Sequence, residues 1–169
     1  MTYLGALILV ISALYIGISK AREERLKAKT LSELCSALEI LKNEICATKT
    51  PIGKVISMES LKSLETLIPF FDELEKGFSD LGNRRFSHIW CDSVSTTLNI
   101  LPIKSRTELA ALGNSLGRYD SDLQKSAIER CARTLQDECT AIEKGLSNNE
   151  KMYIGLSGGA GLILALMLV

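Results

Sequence analysis

The sequence predicts an all-α membrane protein, a helical bundle whose first and last helices run on into spans at the two ends of the chain. Three observations carry this. All 20 Lys and Arg and all 20 Asp and Glu lie between Lys20 and Lys151, so residues 2–19 and 152–169, 18 residues each, hold no charge. Between those runs, apolar residues recur at helical spacing. No alternation of apolar and polar residues persists, so no strand is predicted.

A helix of 18 residues rises about 27 Å at roughly 1.5 Å per residue, which crosses a bilayer core of about 30 Å with help from flanking residues. An apolar run of this length also fits a soluble core, but two of them in a 169-residue chain favour spans. The first run does not read as a cleaved leader. Only Met1 and Thr2 precede the apolar stretch, and Lys20, Arg22, Glu23, Glu24 and Arg25 follow where small residues would mark a cleavage site. The expected division is a span over 1–19, a soluble helical domain over 20–151 and a span over 152–169. Lys20, Arg22, Arg25, Lys27 and Lys29 follow the first span, and Lys144 and Lys151 precede the second. The positive-inside rule then puts the middle domain in the cytoplasm and both termini across the cell membrane, with the lipid bilayer as a first partner.

Leu31, Leu34, Leu38, Leu41 and Ile45 step by three and four residues, one stripe of a helix. No Gly or Pro interrupts residues 18–49, so the first span is expected to continue to Thr48 as one helix about 70 Å long at roughly 1.5 Å per residue. Thr50 and Pro51 suit the cap and first position of a helix reaching Leu67. Pro69 restarts the chain, and Phe70, Phe71, Leu74 and Phe78 face one way on a short helix. Gly82-Asn83 breaks it. Phe86, Ile89, Trp90, Val94 and Leu98 mark the next helix, which Pro102 closes. Ser105 is placed to cap a helix carrying Leu109, Leu112, Gly113 and Leu116, which Gly117 ends. Asp120 or Ser121 caps the last helix, and Ser121-x-x-Gln124 has capping-box spacing. Ile128, Cys131, Leu135, Cys139, Ile142 and Leu146 keep a helical period, and this helix is expected to run on into the second span.

Catalytic chemistry finds little purchase. His88 is the sole histidine, and no Cys or carboxylate cluster stands near it at ligand spacing, so no metal site is predicted. Cys35, Cys46, Cys91, Cys131 and Cys139 form no C-x-x-C pair and read as small core residues of a reducing compartment. Gly158-Gly159-Ala160-Gly161 lies inside the apolar tail without the Lys-Ser or Lys-Thr of a phosphate loop. Net charge is zero, so no nucleic-acid footprint shows. No enzyme activity and no cofactor are expected. Gly155-x-x-x-Gly159 and Ser157-x-x-x-Gly161 are spacings that let membrane helices approach closely, in self-association or with another protein; glycine is also simply common in spanning helices. Two spans with no ionisable group beyond tyrosine argue against a pore formed by this chain alone.

Three pieces of sequence carry a resemblance. They are Leu38-Glu39-x-Leu41-x-x-Glu44-Ile45 leading to Thr50-Pro51-Ile52; Leu112-Gly113-x-x-Leu116-Gly117-x-x-Asp120-x-x-x-Gln124-x-x-x-Ile128; and Lys151-x-Tyr153-x-x-Leu156 before a glycine-containing terminal run. In this order and over essentially the whole chain they resemble the stage III sporulation protein AB family of endospore-forming bacteria. The chain departs from the family at Gly53-Lys54, where an acidic residue is usual, and at Cys46, where an aromatic is frequent.

The resemblance implies a six-helix cytoplasmic bundle whose long first and last helices continue into N- and C-terminal transmembrane spans, similar to the cytoplasmic domains of inner-membrane platform proteins of type II secretion and type IV pilus machines. It implies a non-enzymatic adaptor in the outer membrane around the forespore, facing the mother-cell cytoplasm. There it would dock a secretion-type ATPase encoded beside it and link it to membrane components of the mother cell–forespore channel. The alternative is a platform subunit of another secretion or pilus-like machine. The resemblance is densest over residues 112–124, which nominates Leu112, Gly113, Leu116, Gly117, Asp120 and Gln124 for partner binding and Gly155, Gly159 and Gly161 for packing of membrane helices.

Overall fold

The computed structural model describes the backbone of residues 2–79, 82, 84–116 and 121–167, and the side chains of 15, 18–79, 82, 84–116 and 121–146. Every element among them is helical. The chain divides into two compact units, one of Met1–Ala28 with Thr140–Val169 and the other of Lys29–Cys139.

Helix α1 spans Thr2–Lys42, 41 residues without a break, as the absence of Gly and Pro past residue 18 predicts. A single π-helical turn, Asn43–Ala47, continues it. Lys49 then turns left-handed, at φ 55°, and the Thr50 amide returns to the Glu44 carbonyl at 2.8 Å, closing the segment where the sequence placed its end. The stripe Leu31, Leu34, Leu38 and Leu41 is buried to within 2% of full. Each such leucine contributes about 1.5–3 kcal/mol relative to exposure.

The single helix expected over residues 51–67 is not formed. The stretch breaks into α2 (Ile52–Ile56), α3 (Glu59–Lys62) and a 3₁₀ turn (Glu65–Leu67). Thr50 does not cap; its hydroxyl donates to a Glu44 carboxylate oxygen at 2.9 Å, and Pro51 itself stands at the cap position of α2. Two causes are visible. Ser57 and Ser63 donate to the carbonyls of Gly53 (3.2 Å) and Ser60 (2.8 Å), local bonds that compete with helix continuation. In addition, Val55, Ile56, Leu61 and Leu67 are all fully buried, and one straight helix would point them in divergent directions. Extended residues at Met58 (ψ 139°) and Leu64 (ψ 93°) re-aim the chain so that all four face inward.

Helix α4 (Ile68–Phe78) carries Pro69 in its first turn, where the missing N–H costs nothing, and buries Phe70, Phe71 and Leu74. Gly82, at φ 126°, supplies the turn towards α5 (Phe86–Thr97); Asn83 lies outside the described residues. Helix α6 (Ile103–Gly113) begins at Pro102 rather than at Ser105, because Pro102 takes the extended cap conformation. Ser105 is instead the third helical residue, fully buried, its hydroxyl without a hydrogen-bond partner among the described residues. The helix ends at Gly113, one turn before the expected stop at Gly117, and Leu116 folds inward from the turn that follows.

Helix α7 (Ser121–Met167) is 47 residues long and carries the predicted stripe, with Ile128, Cys131, Leu135 and Cys139 buried. Within the Lys29–Cys139 unit it runs antiparallel to α1. The rungs are Cys35 with the Ala132 carbonyl (3.7 Å), Lys42 with Glu129 (3.8 Å) and Cys46 with the Ser121 carbonyl (3.8 Å). Helix α6 is antiparallel to α7 as well, through Lys104–Glu138 at 3.1 Å and Arg130–Glu108 at 3.5 Å. Among the described residues no helix is long and apolar enough to cross a membrane. The uncharged runs 2–19 and 152–169 fall almost wholly on parts of α1 and α7 whose side chains lie outside the described residues, and so do the two expected spans.

Candidate functional site

The stretch singled out for partner binding is built on the α5–α6 contact. Trp90 of α5 lies fully buried at its centre. Its ring meets Phe70 edge-on, centroids 5.2 Å apart, and lies 5.9 Å from Phe86. Its indole N–H donates to the Leu109 carbonyl at 2.6 Å. One turn on, α6 passes over the same ring at Gly113. A Cβ there would stand 2.5 Å from Trp90 Cδ1, so glycine is required by the closeness of the two helices. Cys91 adds a contact to the Ala110 carbonyl at 3.4 Å.

Leu112, Gly113 and Leu116 are therefore interior residues, and Gln124, 5% exposed in the first turn of α7, is interior too. The structure brings Gly113 against the Trp90 ring and buries Leu112, Leu116 and Gln124 in the interior. Gly117 and Asp120 lie outside the described residues, as do Gly155, Gly159 and Gly161 of the expected membrane packing face, apart from their place on helix α7.

Cys35 and Cys131 are unsuited to nucleophilic work. Burial pushes Cys131 up to about 12 and Cys35 to about 11, so both stay protonated at neutral pH. His88 is exposed on the first turn of α5. Among the described residues no three His, Cys, Asp or Glu side chains converge on a metal position.

Among the described residues the surface carries a concavity that the sequence did not reveal. A groove of about 320 Å³ runs along the seam of α1 and α7, lined by Leu38, Glu39 and Lys42 from one helix and Ile128, Glu129, Ala132 and Arg133 from the other. Leu38 and Ile128, each 1% exposed, form its apolar floor. Lys42 and Glu129 approach to 3.8 Å across it. Glu39 and Arg133 stand one turn further along, where antiparallel helices carry both the same way, yet neither makes an ion pair among the described residues. Arg133 is held by its own helix, Nε donating to the Glu129 carbonyl at 3.3 Å. Nothing in the sequence says that these four charges share a groove, since their meeting depends on the register of two helices some 90 residues apart in the chain.

Elsewhere the polar contacts hold elements together. Glu33 of α1 accepts from the Thr66 amide (2.8 Å) and hydroxyl (2.7 Å), pinning the 3₁₀ turn to α1. Lys29 meets Glu65 at 2.7 Å in an exposed pair, which raises the lysine and lowers the carboxylate but adds little stability.

A family model described as stage III sporulation protein AB matches residues 2–169. Stage III sporulation protein AB of Bacillus subtilis (strain 168) is similar, 29% identical over 172 residues and covering 98% of this chain and 98% of that protein. No solved structure matches.

Proposed function

The chain belongs to the stage III sporulation protein AB family, and from that premise we propose that it is a non-enzymatic membrane adaptor of the sporulation secretion-like complex. In this reading residues 1–19 and 152–169 span the membrane, residues 20–151 form a six-helix cytoplasmic bundle, and the bundle docks a secretion-type ATPase and links it to the channel between mother cell and forespore. The protein sits in the outer membrane around the forespore, with its bundle in the mother-cell cytoplasm and both termini across the bilayer.

One observation carries the reading. The two longest helices, Thr2–Lys42 and Ser121–Met167, pair antiparallel within the Lys29–Cys139 unit, and each also includes most of an uncharged terminal run. A force exerted on the unit would act on the same two helices that carry the apolar runs. The absence of charge from those runs supports membrane insertion.

The test is binding. The full chain in lipid nanodiscs is titrated with the secretion-type ATPase of the same genome while ATP turnover is followed. The adaptor reading expects saturable binding, with or without a change in rate. No binding by protein that circular dichroism shows to be folded and helical would contradict it, and would assign the protein to the channel side of the complex.

A further inference from the structure

We propose that the face of α1 carrying Ile18, Arg22, Arg25 and Leu26 meets the headgroup of an anionic phospholipid, whose phosphate pairs with Arg22. The proposal rests on the reading of residues 1–19 as a membrane span. It adds to that reading the side of the helix that lies against the bilayer surface and the lipid class it selects.

Ile18, Arg22, Arg25 and Leu26 stand four, three and one residues apart, a spacing that sets them on one side of a helix. That side is open. Ile18 is 55% and Leu26 46% exposed, and Tyr15, one turn earlier, is 73% exposed. Large apolar side chains on either side of a cation are costly in water. The interface of a bilayer accommodates both, the apolar groups among the acyl chains and the cation among the headgroups.

Charge identifies the lipid. Residues 20–28 hold four cations, Lys20, Arg22, Arg25 and Lys27, against two acids, Glu23 and Glu24. The fold does not spread that excess evenly. Glu23 and Glu24 both turn to Lys27, each at 2.8 Å, away from the Arg22 side. Arg22 is exposed, and its guanidinium makes no ion pair among the described residues. The face is therefore apolar and cationic. A phosphate oxygen pair suits the fork of a guanidinium, and a net negative headgroup is favoured over a zwitterionic one because it brings no cation of its own.

Depth agrees. Arg22 lies three residues past Ser19, about 4.5 Å along the axis, and the headgroup layer is about 5–7 Å thick on each side of the bilayer. Side chains of a helix lean towards its N-terminus, which on α1 carries the Arg22 guanidinium back towards the uncharged run. Leu26, a turn further out, comes down to the same layer when the helix tilts towards this face, and spanning helices tilt by about 20° on average.

The experiment places the full chain in nanodiscs of equal parts phosphatidylcholine and phosphatidylglycerol. Native mass spectrometry counts the lipids retained by the parent, by Arg22→Gln and by Lys20→Gln, which removes the same charge from the same segment on the other side of the helix. Circular dichroism confirms that each is folded. One basic group near an anionic surface strengthens association by about fivefold. The proposal expects the parent to retain phosphatidylglycerol over phosphatidylcholine, Arg22→Gln to lower that preference by about fivefold, and Lys20→Gln to leave it within about twofold. An unchanged preference in Arg22→Gln overturns the proposal. Equal losses in the two variants overturn it as well, since they mark diffuse attraction with no site on this face. A parent that stays in the disc without any preference overturns the proposal and leaves the span reading standing. A parent that stays out of the disc removes the span reading and the proposal with it.

Discussion

Trp90 is the residue on which the interior turns. Its indole N–H, its ring and its Cδ1 are each committed, to Leu109, Phe70 and Gly113. Gly113→Ala would drive a methyl group into the ring, and overpacking of this kind costs about 1–3 kcal/mol. The sole tryptophan reports on it directly: urea unfolding followed by Trp90 fluorescence should show a lower midpoint, with a folded-state emission shifted from the parent's. Ser105 is the opposite case. Its hydroxyl is buried without a hydrogen-bond partner among the described residues, so Ser105→Ala should leave stability unchanged or raise it by up to about 1 kcal/mol; a loss larger than that would reveal a bond the structure does not contain. Cys131 gives a pH dependence. Its thiol is raised by burial from 9.0 to about 12, so the folded state holds a proton that the unfolded state has lost between those values. Its contribution is fully present below pH 9.0 and is lost as pH climbs towards about 12, with a slope of up to about 1.4 kcal/mol per pH unit. Urea midpoints at pH 8 and pH 10 measure this, and Cys131→Ala should shrink the difference without removing it, because Cys35, raised to about 11, loses stability over the same range.

Among the elements, α1 and α7 were legible from the chain alone, because a leucine or cysteine at every third or fourth position with no proline specifies a helix whatever it packs on. Helices α4 and α5 were legible for the same reason, marked by aromatics and set off by Pro69 and Gly82, although α5 ends at Thr97 and Pro102, expected to close it, instead caps α6. The stretch 51–67 was misread. Its serines bond locally, and its apolar residues are buried by bending the backbone, a solution that periodicity does not register. Ser105 was misread because Pro102 had already set the start of α6. Gly113 was placed on the apolar face of its helix, but its closeness to Trp90 could not be read. The α1–α7 groove was illegible, since it exists only through the register of two distant helices. The continuity of α1 makes its own prediction. If a motor acts through that helix, a flexible Gly-Ser segment inserted at Lys29 should abolish sporulation while the protein still accumulates and stays helical. Normal sporulation would rule out mechanical coupling through α1.

At the scale of the whole molecule, the Lys29–Cys139 unit buries apolar residues from Leu31 to Cys139, Trp90 among them, while the terminal runs carry no charge to solvate. A polypeptide so divided suits two solvents: the bundle buries its apolar residues in its own core, and the runs need lipid or another apolar environment to bury theirs. The adaptor reading depends on that division above all. The measurement that tests it most directly is alkaline carbonate extraction of membranes from cells producing the full chain, followed by protease treatment from the cytoplasmic side. The account predicts that the protein stays with the membrane pellet and that protease removes the bundle, leaving two short protected fragments, one from each end. Release of intact protein into the carbonate supernatant would contradict it.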